Sequence, residues 1–267
     1  MSVPALKQSV SFTIVCGIKT AKVTRSELVY LITERIENVR CQFDSSESHL
    51  PLTIFDINGH AISLANQKPH FKELLDQADI VHADGQSIVY YSRICKGGEI
   101  PERSATTDLI HDIPQKYEKS LTHYLLGGEH NVVSECASLL SSSYPNFKVS
   151  DFQHGYFTKD SEKVIIEKIN RLKPDILWVG LGKPKEQEFV LRWREQLNVP
   201  VIITCGGCYN YVTGSYKRAP IVMQKIGLEW LYRVLTNPRK FFWRYLTTNP
   251  HTLLIMIKEV LSRLRLP

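Results

Sequence analysis

No stretch of this 267-residue sequence reaches the roughly 18 apolar residues that a membrane-crossing helix needs, and no basic-then-apolar leader opens it. The expectation is a cytoplasmic protein, at most peripheral to a membrane. There is no G-x-x-x-x-G-K-[ST] and no G-x-G-x-x-G, so neither a P-loop nor a dinucleotide fingerprint is supported. Asp-x-Asp is absent as well, which leaves no paired-carboxylate motif to hold a metal on a diphosphate. The six cysteines are scattered through apolar runs, as reduced buried thiols are. Cys205 and Cys208 have metal or redox spacing, but no second pair or nearby His accompanies them, and zinc normally takes four ligands. No internal repeat and no low-complexity segment is visible.

What is present is an ordinary globular composition, 43% apolar and 22% charged, with room for one large or two modest domains. The net charge of +6 is unevenly placed. Residues 217–267 hold ten Lys and Arg against Glu229 and Glu259, so the first 216 residues are slightly acidic. A basic tail points to an anionic surface or ligand there.

The hydrophobic pattern predicts a strand over 11–18 and a helix to about Arg40, opened by the capping box Thr24-x-x-Glu27. A polar loop at 44–48, a strand at 51–56, a turn at Asn58-Gly59 and a helix over about 61–77 follow. The short strand DIVHA ends at Asp84-Gly85 and precedes a helix over 86–95 and a loop over 96–104; Thr107-Asp108 suit the cap of a short helix. From about 121 the rhythm is β-α-β-α: a strand at 122–128, a helix to Ser142, a strand near 147–150, a loop at 154–157 and a helix over 161–172. Two apolar runs, ILWVGLG at 176–182 and VIITCGG at 201–207, read as buried parallel strands. Strands alternating with helices imply a doubly wound, mostly parallel α/β sheet. The tail from Ala219 reads as helical, with proline breaks at 238 and 250.

Gly127-Gly128, Gly180-Leu-Gly182 and Gly206-Gly207 fall where three strands end. Glycine there lets backbone approach a ligand, and the helix N-termini that follow offer N–H groups to phosphate, although βα turns use glycine in any case. Pro184 suits the first turn of the helix carrying Glu186, Gln187 and Glu188. Asp84 and Asp56 end short strands, with Asn58 close behind; on neighbouring strands the two carboxylates share one crevice, and a positioned carboxylate is what a general base requires. Turn and N-cap roles remain open for both. Arg103, Arg218, Arg233, Arg239 and Arg244 are the cations available to a diphosphate, against the plainer reading of a solvated face. The tail's mixture of Trp, Phe and Tyr with Arg and Lys fits a membrane-interface helix or, equally, packing on the chain's own core or another subunit. Nucleic acid is not favoured, since no binding module accompanies these residues.

These pieces together resemble the WecG/TagA/CpsF family of bacterial glycosyltransferases (glycosyltransferase family 26). The resemblance runs from about Gly17 to Arg244 through ADG at 83–85, Arg103 with Asp108, LLGG at 125–128, Tyr144-Pro145, Gly155-Tyr-Phe157, LWVGLGKPKEQE at 177–188, GGCYNYVTG at 206–214, RAP at 218–220 and GLEWLYR at 227–233 followed by Pro238-Arg239. It implies a Rossmann-like fold of the GT-E type and inverting transfer from a UDP-sugar to a polyprenyl-diphosphate-linked saccharide at the cytoplasmic membrane face, without a metal or cofactor. It places the base on Asp84, the T-x-N motif on Asp56-Ile57-Asn58, the glutamine of P-K-Q-E on Gln187, and a mobile arginine-bearing appendage on the segment with Arg233, Arg239 and Arg244. That appendage is expected to serve both membrane docking and completion of the site. Three positions depart from the pattern: Asp56 replaces threonine, Tyr209-Asn210 replaces a Phe-Asp pair, and Glu186 stands as an extra residue inside P-K-Q-E.

The combined expectation is a core over 1–216, whose N-terminal half to about residue 115 carries acceptor and base and whose second half carries the nucleotide, with a basic helical appendage over 217–267. Asp84, Asp56 and Asn58 form the catalytic set. Gly85, Arg103, Asp108, Gly127, Gly128, Gly182, Pro184, Gln187, Gly206, Gly207, Tyr209, Asn210, Gly214, Arg218, Arg233, Arg239 and Arg244 contact substrate. A homo-oligomer is compatible with the tail. The competing readings are a non-catalytic nucleotide-binding partner of a membrane polysaccharide complex and, last, glycoside hydrolysis by the Asp56/Asp84 pair.

Overall fold

The computed structural model describes residues 10–41, 49–94 and 98–264. Among the described residues eight strands and twelve α-helices follow one another in this order: β1 (Phe12–Val15), β2 (Ile18–Ala21), α1 (Arg25–Cys41), β3 (Leu52–Ile57), α2 (Gly59–Gln67), α3 (Pro69–Asp76), β4 (Ile80–Ala83), α4 (Gln86–Ile94), α5 (Thr106–Lys116), β5 (Leu121–Gly127), α6 (His130–Ser143), β6 (Phe147–Gln153), α7 (Glu162–Leu172), β7 (Ile176–Gly180), α8 (Lys185–Trp193), β8 (Val201–Thr204), α9 (Cys208–Val212), α10 (Ile221–Lys225), α11 (Glu229–Thr236) and α12 (Pro238–Leu264). Six strands form one sheet in the order β4-β3-β8-β7-β5-β6, every pair parallel.

Strand side chains alternate between two cores. Phe55, Ile57, Leu126, Val179 and Ile202 meet α2, α3, α7 and α8, whereas Ile54, Leu125, Trp178 and Ile203 meet α1, α5, α6 and α9. The chain therefore leaves β3 toward one face and the adjacent β8 toward the other. Loops that diverge from neighbouring parallel strands open a crevice at their carboxyl ends.

Several boundaries differ from the sequence expectation for local reasons. The run 11–18 is a hairpin rather than one strand: Cys16 and Gly17 both take positive φ (49° and 76°), which folds β1 back on β2. The helix expected over 61–77 is two, because Pro69 starts α3 and Lys68 is left extended between them. The loop at 44–48 lies outside the described residues, as does part of that at 96–104. The capping box at Thr24 forms as expected: Glu27 N–H donates to Thr24 Oγ1 at 3.1 Å and Thr24 N–H to Glu27 Oε2 at 2.7 Å.

Pro238 begins α12, but Pro250 does not break it. The two residues after Pro250 are clamped to α2: His251 Nδ1 lies 2.8 Å from Ser63 Oγ, and Thr252 Oγ1 donates to the Gly59 carbonyl at 2.6 Å. Tyr91 on α4 donates to Glu259 at 2.5 Å, so the basic tail is seated on the half of the core that carries β3 and β4.

Candidate active site

Two turns side by side hold the acidic part of the crevice. Asp84 N–H bonds the Ile57 carbonyl at 2.9 Å, continuing the β3–β4 ladder past its last residue. Asn58 Nδ2 then donates to Asp84 Oδ2 at 3.2 Å, and Thr106 N–H donates to Oδ1 at 3.2 Å. The two bonds, one to each oxygen, fix the plane of the carboxylate. A Cβ on Gly85 would stand 3.4 Å from the Asn58 backbone, so the turns are closely packed. Asp84 is half-buried and reachable.

Asp56 is in a different setting. Its side chain is 5% exposed, and Oδ2 is bonded to Lys183 Nζ at 2.6 Å. Burial alone would lower the Lys183 pKa; the Asp56 and Glu186 charges more than offset it, and the ammonium is held above its usual value. Asp56 is thus enclosed in an ion pair beneath the crevice, whereas Asp84 is the carboxylate that stands open to it. His82, opposite Asp56 in the parallel register, is fully buried with Nδ1 on Ser104 Oγ at 3.0 Å, and burial pushes its pKa down. His60, on the first turn of α2, is pushed down to about 4 by burial and by the Arg244 and Lys183 charges.

The strand-end glycines serve the sheet's own edge before any ligand. A Cβ on Gly127, whose φ is +130°, would fall 2.2 Å from the Gly180 carbonyl oxygen, and one on Gly180 would fall 2.8 Å from that of Gly206. The ends of β5, β7 and β8 thus stack backbone on backbone. The N–H groups of Gly182 and Gly206, expected to be open to phosphate, both donate to Glu186. Gly207 and Gly214 are exposed, and Gly128, Gly182, Pro184 and Asn210 are half-buried around the same rim.

Two expected contact residues lie beneath the surface. Gln187 is fully buried and donates to Glu186 Oε1 at 3.3 Å; Tyr209, 1% exposed, donates its hydroxyl to the Trp178 carbonyl at 3.1 Å. They shape the crevice from below, because α8 and α9 begin under the turns rather than over them.

The arginines gather at the junction of core and tail. Arg103 bonds Glu229 at 2.6 Å and Asp108 at 3.3 Å; Arg218 bonds Asp108 at 2.7 Å; Arg233 bonds Glu229 at 2.6 Å. Gln224 Oε1 accepts from both Arg103 and Arg218, at 3.0 and 3.1 Å. Three guanidiniums share two carboxylates, which leaves net positive charge. Arg244 lies over the Tyr245 and Phe241 rings and has no carboxylate partner among the described residues, and Arg239 is exposed.

Sequence reasoning gave no role to Lys183 or His82, and noted Glu186 only as an extra residue inside P-K-Q-E. Lys183 interrupts the glycine turn after an apolar strand, and His82 stands two residues before Asp84 and so on its side of the strand. Those were the available signals.

An accessible carboxylate at the carboxyl edge of a parallel sheet, with arginines brought beside it by a C-terminal helical segment, is an arrangement suited to an α/β transferase. Residues 13–266 match the model of the glycosyl transferase WecG/TagA/CpsF family, and the chain belongs to that family of glycosyltransferases. It is similar to the N-acetylglucosaminyldiphosphoundecaprenol N-acetyl-beta-D-mannosaminyltransferase of Bacillus spizizenii, 29% identical over 235 residues that cover 84% of this chain and 90% of the relative. The protein of the same name from Bacillus subtilis is 26% identical, covering 88% and 92%, and that from Staphylococcus aureus is 29% identical, covering 76% and 79%.

Proposed function

We propose that this enzyme transfers a hexose or N-acetylhexosamine-type sugar from a UDP-sugar to a polyprenyl-diphosphate-linked saccharide, with inversion and without a bound metal, in surface polysaccharide synthesis. The observation that carries the chemistry is the Asn58–Asp84 pair on adjacent strand ends. The names of the relatives supply the acceptor class. Asp84 accepts the proton of the acceptor hydroxyl as that oxygen attacks the anomeric carbon and the bond to the UDP oxygen breaks. A single displacement of this kind inverts the centre. Asn58 keeps the carboxylate oriented, and the arginine cluster with Arg244 meets the charge of the departing or lipid-borne diphosphate.

The tail supports work at a membrane's cytoplasmic face. Ile221, Val222, Leu235 and Trp243 are each about 70% exposed, amid the excess of Lys and Arg noted above. No helix among the described residues is long and apolar enough to cross a membrane, which fits interfacial rather than spanning contact. The test is incubation with UDP-sugars and a short-chain polyprenyl-diphosphate-linked N-acetylglucosamine. Lipid-linked disaccharide and free UDP are expected. Sugar released to water instead, or UDP binding with no turnover, would overturn the proposal.

A further inference from the structure

Beneath the crevice a buried charge chain crosses three strand ends. Glu186 Oε2 accepts the Gly182 N–H at 2.9 Å and the Gly206 N–H at 3.1 Å, so one carboxylate oxygen closes the turn after β7 and the turn after β8 together. Its Oε1 takes the Gln187 amide at 3.3 Å and lies 3.7 Å from Lys183 Nζ. Lys183 passes the connection to Asp56 on β3. The Glu186 side chain is fully buried and that of Lys183 is 7% exposed.

We propose that Glu186 is a positioning residue: its ionised carboxylate holds the two nucleotide-side turns in one geometry, and Lys183 and Asp56 set how firmly it keeps its charge. The identity of the ligand, a nucleoside diphosphate, rests on the functional reading above. Two backbone N–H groups converging on one oxygen form an anion hole that the protein fills from within. The diphosphate is therefore met by other donors, and Glu186 acts on it only through the shape of the turns. Loss of the charge weakens both bonds together, because they share the oxygen. That event lies within reach: burial pushes the carboxyl up to about 6, Asp56 adds to the rise, and Lys183 and the Gly182 N–H oppose it. The other titratable groups near the chain are the Cys205 thiol just past β8, His60 on α2, which interacts with Lys183, and His82 and Asp84, which act on Lys183 or Asp56 from the β4 side.

The test follows the Gly182 and Gly206 amide resonances of the ligand-free full chain against pH, with UDP affinity measured in parallel. Both amides are expected to move with one midpoint near 6, and in Glu186→Gln neither should. Lys183→Met should raise the midpoint and Asp56→Asn should lower it; a merely structural contact would not give shifts of opposite sign. UDP affinity should fall with the same midpoint, about tenfold for each pH unit below it, and in Glu186→Gln be weak throughout, keeping only the shallower dependence that the terminal phosphate of UDP brings itself. Separate midpoints, or movement that persists in Glu186→Gln, would overturn the proposal, as would UDP affinity that ignores the amide transition. Amides that move together in a protein that binds no UDP at any pH would uphold the positioning role and defeat the nucleotide reading instead.

Discussion

Asn58 serves two structures with one amide: Nδ2 donates to Asp84 Oδ2 at 3.2 Å, while Oδ1 accepts the Ala61 N–H at 3.2 Å and caps α2. The Asp84 carboxylate is thereby oriented by the start of a helix. Asp84→Asn should leave a folded protein with kcat reduced about 10²–10⁴-fold and a thermal midpoint near that of the wild type. Asn58→Asp separates the two duties, since aspartate caps helices as well as asparagine does. It should keep the cap of α2 but set a second carboxylate beside Asp84, moving the acid limb of the pH–rate profile upward and lowering the melting temperature at neutral pH by the matching amount. An unmoved limb would show that Asn58 does not govern the base.

The Lys183–Asp56 pair makes a stability prediction. Lys183→Met leaves Asp56 buried without its counter-charge, and such losses cost about 3–5 kcal/mol. Adding Asp56→Val should recover most of that in chemical denaturation, because the pair as a whole contributes far less than either uncompensated half. A double variant no more stable than the single would contradict this.

Gly127→Ala should be among the most damaging substitutions at the sheet edge. The new methyl would sit 2.2 Å from the Gly180 carbonyl oxygen, at a φ that L side chains rarely adopt. The cost expected is at least about 1–3 kcal/mol, seen as a lowered denaturation midpoint. Gly214→Ala, also at positive φ but facing open space, should cost less.

Acid should destabilise the fold in a defined window. His60, His82, His111 and His123 all have pKa values lowered mainly by burial, His60 to about 4 and His123 to about 3. Their contribution is fully present above the unfolded value of about 6.5 and is lost as pH falls from there toward the folded values, because the unfolded chain binds the protons first. Glu186, raised to about 6, has the opposite sign and returns a smaller amount between about 6 and 4.5. Thermal melts from pH 7.5 to 4.5 should therefore show a net fall, reduced in His123→Phe provided that variant keeps its packing against Phe147.

Membrane contact is tested best on the most exposed ring. Trp243 is 71% exposed on α12, so Trp243→Ser should weaken binding to anionic liposomes without lowering the melting temperature. Binding in both forms should decline with salt. Equal binding by the variant would assign this face to another partner.

The sheet was largely readable because buried parallel strands announce themselves as apolar runs closed by glycine, as at 176–182 and 201–207. Turn chemistry was less so: Cys16 gave no sign of a left-handed conformation, and Pro69 cut a helix whose periodicity ran on through it. At the site, Asp84 and Asn58 could be paired by supposing their strands to be neighbours. Glu186 and Lys183 could not, because their partners lie about 20 and 127 residues away in sequence, in a backbone N–H and on another strand. Pro250 misled for a related reason. What keeps α12 continuous is its seat on α2, a tertiary contact that no local pattern records.

That seat has a mechanical consequence. Thr252 grips the carbonyl of Gly59, the residue next to Asn58, so a 27-residue rod is hinged on the turn that aims the base. Of the rod's several anchors on α2 and α4, this one ties it to the residue beside the Asn58 turn that orients Asp84. A protein built this way has no detachable tail: cutting away the rod to make it more soluble would also remove the Thr252 anchor beside the turn that holds Asp84.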